Sequence, residues 1–161
     1  MRQKTSPPPS LSRRQVLGAA GAGLVAAATA GLTPIRAGAG PREADEKLYE
    51  LTGVEKPEKG RVTVILPETT DQGPLVPITV RVDSPMTEDD YVKAIHIVAQ
   101  RNTVPEVASF HLSPMNGTAE VSTRIRVKET QIIMAAAQMS DGSVYLGRER
   151  CRVVGGAGGC G

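Results

Sequence analysis

Two cysteines are the most reactive side chains in this chain, and their surroundings differ. Cys151 lies in Arg148-Glu149-Arg150-Cys151-Arg152-Val153, and Cys160 lies in Gly155-Gly156-Ala157-Gly158-Gly159-Cys160-Gly161. A thiolate serves as nucleophile, metal ligand or disulfide partner. A thiol packed in a core needs a fixed backbone, which glycine is least able to provide. The pattern around Cys160 therefore reads as a thiol that travels. Six residues from Val154 carry it at most about 20 Å when extended, or about 12–15 Å as a random coil. Either span suits delivery into a deep pocket of another protein. Cys151 reads instead as a small buried hydrophobe near the end of a strand. A Cys151–Cys160 disulfide remains the alternative for an oxidising compartment, and it also serves as a resting form. The carboxylate after Gly161 disfavours a Cys160 thiolate, and no Lys, Arg or His follows Arg152. Activation is therefore expected from partner proteins.

The remaining candidates are weaker. His96 and His111 fall in different expected strands, and neither has a Cys, Asp or Glu at ligand spacing. Met86, Met115, Met134 and Met139 form no Met-x-x-Met cluster for Cu(I), so they read as gap fillers. Asp83 to Tyr91 gathers Asp83, Glu88, Asp89 and Asp90 without the alternation of a calcium loop, and it reads as a solvated connection. The chain has no G-x-S-x-G and no phosphate loop, since no helix follows the glycine run. No metal, no cofactor and no enzymatic centre are expected.

These thiols must be positioned by a β-rich scaffold. Seven short runs carry period-two or apolar strand patterns: 62–66, 76–82, 91–100, 106–113, 119–127, 131–139 and 143–154. Ser140-Asp141-Gly142 marks a hairpin turn between the last two. Pro77 points to an edge strand or a strand start. The alanines after Ile132 lead straight into the hairpin, so they read as strand. Ahead of the runs, 43–51 reads as a helix, with Pro41 near its start and Gly53 after its end. The expected fold is all-β: an immunoglobulin-like antiparallel β-sandwich with a short N-terminal helix and a flexible Gly-rich arm. Its core must be aliphatic, because the chain has no Trp, one Phe and three Tyr. Residues 40–154 form the expected domain and 155–161 the arm, made of Gly155, Gly156, Ala157, Gly158, Gly159, Cys160 and Gly161.

Residues 1–39 read as an export signal, with basic, apolar and small-residue cleavage regions in order. Arg13 and Arg14 resemble the twin-arginine class, which places the mature protein in the periplasm, free of the membrane. An uncleaved anchor is the alternative. Of the 19 Lys+Arg, five (Arg2, Lys4, Arg13, Arg14, Arg36) lie in this segment, and none of the 17 Asp+Glu does. The mature chain thus has 14 basic and 17 acidic residues, a formal charge of −3. That excludes a nucleic-acid footprint.

The twin-arginine signal, the stretch PITVRVDSPMTEDDYVKAIHIVAQRN and the closing GGCG resemble the SoxY family of sulfur carriers over essentially the whole chain. The family usually has two glycines after its cysteine, where this sequence shows Gly161 alone. The resemblance implies that Cys160 bears the sulfur and that 155–161 is a swinging arm. It further implies a heterodimer with SoxZ, and transient docking to SoxXA, SoxB and in some organisms SoxCD. Thiosulfate would couple oxidatively to the cysteine, and hydrolysis would then release sulfate. The haems, metals and redox centres belong to those partners. A periplasmic metal chaperone or a thiol-redox protein is the competing reading.

Overall fold

The computed structural model describes residues 40–154. Helix α1 spans Pro41–Thr52. Proline suits its first turn, where an N–H has no intrahelical partner, and the Glu43 carboxylate accepts from the Gly40 N–H. Gly53 ends the helix at φ 73°, donating its N–H to Tyr49 O at 2.7 Å. Ala44, Leu48 and Leu51 share one face, and the first two are fully buried.

Nine strands follow: β1 (Glu58–Lys59), β2 (Val62–Ile65), β3 (Thr69–Thr70), β4 (Val76–Val82), β5 (Val92–Ala99), β6 (Glu106–His111), β7 (Glu120–Ile125), β8 (Gln131–Met139) and β9 (Val144–Val153). The larger sheet has the order β1-β9-β8-β5-β6, with β3 also on β9, and the smaller has β2-β4-β7. All neighbours run antiparallel except β1 and β3, which pair parallel with β9. The two sheets face each other across an aliphatic core that includes Ile78, Val80, Ile95, Ile97, Ile133 and Cys151. Helix α1 covers the outer face of the larger sheet, packing Ala44 and Leu48 on Val98, Met134, Ala136 and Val144. Strand β8 is consequently buried on both faces. Ala135 and Ala137 point into the sandwich and Ala136 points under the helix.

The seven expected runs correspond to β2 and β4–β9, and α1 extends the expected helix by two residues at the start and one at the end. Pro77 is the second residue of β4, the central strand of its sheet. Val82 N–H bonds Ala119 O, just ahead of β7, so alternation turns the Pro77 nitrogen toward β2. The β2 pairing stops at Ile65 opposite Thr79. The missing donor therefore costs no ladder bond. Strands β1 and β3 had no sequence signal, being two-residue pairings made by β9. Gly147 on β9 lets β2 lie close: a Cβ there would stand 2.8 Å from Val62 O and from Val62 Cγ1. Among the described residues, no helix is long and apolar enough to cross a membrane.

Candidate functional site

The site is built around the place where β9 gives up the chain to residues 155–161. Arg152 N–H donates to Glu68 O at 2.8 Å, and Val154 N–H donates to Thr70 O at 2.8 Å. On the other side, Val153 N–H donates to Thr130 Oγ1 at 3.1 Å. The strand end is held from both edges up to Val154. The segment supplying Thr70 is itself seated by Gly73, where a Cβ would lie 2.5 Å from Val127 O. Val127 N–H returns a bond to Gly73 O at 2.7 Å. Gln131, which pairs with Cys151, ties the neighbouring loops: its Oε1 accepts from Arg101 N–H at 2.6 Å and its Nε2 donates to Asn102 Oδ1 at 2.9 Å. Asn102 in turn donates to Arg126 O and accepts from Lys128 N–H.

Cys151 sits one residue before this clamp, fully enclosed. Burial pushes its thiol pKa up. Both effects make it an inert core thiol, as the sequence suggested. Cys160, Gly155, Gly156, Ala157, Gly158, Gly159 and Gly161 lie outside the described residues, as do Arg13 and Arg14.

The other candidates resolve into structure. His96 is almost fully buried on β5, bonded through Nδ1 to Ser109 Oγ at 2.8 Å, and Ser109 donates to Glu106 Oε1 at 3.0 Å. Glu106 also meets Lys47 of α1 at 3.6 Å, so the chain of contacts fastens the helix to the sheet. His111 stands edge-on to His96 with ring centroids 6.4 Å apart. Burial, and then the His111 charge, lower the His96 pKa against the opposing pull of Glu106. Met86, Met134 and Met139 fill the core, whereas Met115 is exposed. Among the described residues, no three His, Cys, Asp or Glu side chains converge as metal ligands.

Two surface hollows lie among the described residues. One, of about 430 Å³, is lined by Arg61, Arg81, Asp83 and Glu120, with Arg81 and Glu120 paired at 2.7 Å. The other, of about 590 Å³, has Lys56, Lys59, Gly147 and Arg148 around it. The clamp residues Thr130, Glu68 and Thr70 were missed by sequence reasoning, because Glu68 and Thr70 act through backbone carbonyls and Thr130 through a single hydroxyl, none of which leaves a pattern.

What these elements define is an immunoglobulin-like sandwich that holds one strand end fixed ahead of a glycine-rich, thiol-bearing segment. The sequence matches the family described as sulfur oxidation protein SoxY over residues 48–160, and the chain belongs to that family. The matched region takes in Cys160. The sulfur carrier protein SoxY from Chlorobium limicola f. thiosulfatophilum is a solved relative at 26% identity and TM-score 0.58, covering 70% of this chain and 92% of its own. Superoxide reductase (neelaredoxin) from Ignicoccus hospitalis shares the fold alone, at 12% identity and TM-score 0.52, covering 72% of this chain and 94% of its own. No curated protein sequence matches the chain. As a SoxY-family protein, the chain is not an enzyme.

Proposed function

We propose that this protein carries sulfur covalently on Cys160 and presents it to successive enzymes of thiosulfate oxidation. The observation that carries the reading is the contrast around Val154: the strand is bonded from both edges up to that residue, and the chain then continues as five Gly/Ala residues to Cys160. With Cys151 enclosed, Cys160 is the thiol left for chemistry. Family membership and the solved sulfur carrier support the sulfur cargo.

In the cycle proposed here, the Cys160 thiol and thiosulfate together give up two electrons to the haem enzyme SoxXA. A sulfur–sulfur bond forms and the thiol proton is released. Water then attacks the outer sulfonate in the hydrolase SoxB, freeing sulfate with two protons and leaving a persulfide on Cys160. Where SoxCD is present, it oxidises that sulfane sulfur. SoxZ is the standing partner. The twin arginines Arg13 and Arg14 direct the chain to the periplasm, where these partners work. No cation follows Arg152 in the sequence, so the partner pockets supply the activation of the thiol.

Reconstituted thiosulfate turnover tests this reading. Cys160→Ser is expected to abolish turnover without changing the fold, and turnover persisting in that variant would reject it. A thiol reagent is expected to react with Cys160 in the isolated protein no faster than with a free cysteine, and markedly faster reaction would contradict activation by partners.

A further inference from the structure

His96 and His111 are far apart in sequence, and the pairing of β5 with β6 brings them together. His96 lies opposite Ser109, and Ala94 lies opposite His111, so the two histidines are diagonal neighbours on one face. Ile95 and Ile97 belong to the core between the sheets. Strand alternation therefore puts His96, Ser109 and His111 on the outer face of the larger sheet. The two rings stand edge to face with centroids 6.4 Å apart.

The neighbours of His96 set where its proton sits. Ser109 Oγ donates to Glu106 Oε1 at 3.0 Å, so its lone pair faces His96 Nδ1 at 2.8 Å. Nδ1 must then carry the ring proton, and the neutral ring keeps a bare lone pair on Nε2. Burial lowers the His96 pKa, which favours that neutral ring. Among the described residues Nε2 has no hydrogen-bond partner, and no solvent-inaccessible side-chain nitrogen is left without one; Nε2 therefore reaches solvent. A histidine whose other nitrogen donates into a carboxylate-backed hydrogen bond is oriented as metal ligands are, with its basicity raised. His111 is exposed, and its ring makes no hydrogen bond among the described residues.

We propose that His96 Nε2 and the His111 ring together bind one divalent late-transition ion of the zinc and copper class. With metal–nitrogen bonds of about 2.0–2.1 Å, one ion joins imidazole rings whose centroids lie roughly 5–6.5 Å apart. The observed spacing falls within that range. No third His, Cys, Asp or Glu completes the set among the described residues, so water fills the remaining positions and the site stays open. Ser109 and Glu106 are positioning residues, acting through Nδ1, and Lys47 at 3.6 Å ties the Glu106 carboxylate to α1. The site depends on neither thiol, which separates it from a metal held by Cys160.

Calorimetric titration with Zn²⁺ of the full chain carrying Cys160→Ser, beside its thermal unfolding midpoint, tests the proposal. One Zn²⁺ binds per chain and raises the midpoint. His111→Ala, at an exposed position, and His96→Gln each weaken binding by roughly tenfold or more, and Ser109→Ala weakens it by about 10–100-fold. Nitrogen NMR of the metal-free chain finds the His96 proton on Nδ1, and Ser109→Ala releases it. The proposal is overturned if Zn²⁺ does not bind saturably, if binding survives His111→Ala, or if the metal-free His96 carries its proton on Nε2. Zn²⁺ held by the wild-type chain and lost with Cys160→Ser assigns the metal to the thiol and overturns it as well.

Discussion

Cys151 and Cys160 are nine residues apart in one chain, yet the physics around them is opposite. Cys151 is walled in by two sheets and its pKa is raised by burial. Cys160 is surrounded in sequence by residues with almost no side chain to pack. Between them stands the clamp of Glu68, Thr70 and Thr130 on the last residues of β9. The lesson is that one strand serves as both wall and mast: its packing removes one thiol from chemistry and fixes the root of the segment that bears the other.

The comparison breaks most decisively if the two thiols exchange roles. Cys151→Ser is expected to keep thiosulfate turnover at saturating partner concentration. The buried hydroxyl then destabilises the fold by about 1–3 kcal/mol, read from denaturant unfolding. Loss of turnover in a folded Cys151→Ser protein would contradict the account. Gly147→Ala tests the wall itself. Its Cβ would meet the Val62 carbonyl at 2.8 Å, and overpacking there is expected to cost about 1–3 kcal/mol with Cys160 reactivity unchanged.

Thr130→Val sharpens the clamp. It removes the acceptor of the Val153 N–H, so the Val153 amide exchanges faster while global stability falls by about 1 kcal/mol. An unchanged Val153 exchange rate would mean that Thr130 does not hold the strand end.

The smallest effects are those of pH. The folded His96 has a lowered pKa, so the unfolded chain binds more protons, and stability falls as pH drops below about 6.5. His96→Gln flattens that acid limb. Cys151 has a raised pKa, so the folded chain keeps its proton longer; stability is full below about pH 8.5 and falls above it. Cys151→Ala removes that alkaline fall. Melting temperature against pH reads both limbs.

The sequence made the large elements legible because their patterns are local. Val76, Ile78, Val80 and Val82 alternate and are all buried, and Ser140-Asp141-Gly142 joins β8 to β9 as its composition demands. Even the alanines of β8 were readable from the turn that follows them. The clamp was not legible, because Glu68 and Thr70 contribute backbone carbonyls and their two-residue strand exists only by pairing with β9. The bond between Lys47 and Glu106 spans 59 positions and likewise leaves no trace in periodicity. The meeting of His96 and His111 was invisible for a related reason: it depends on the register of β5 against β6, a property of the whole fold. The reading of Cys160 rests on residue type and not on packing, and that residue lies outside the described ones.

Peptide-mapped intact mass spectrometry of the protein from thiosulfate-grown cells, isolated without reductant, tests the central claim most directly. The account predicts a sulfane or thiosulfonate adduct on the peptide containing Cys160 and an unmodified Cys151. An adduct on Cys151, or an unmodified Cys160 throughout turnover, would contradict it.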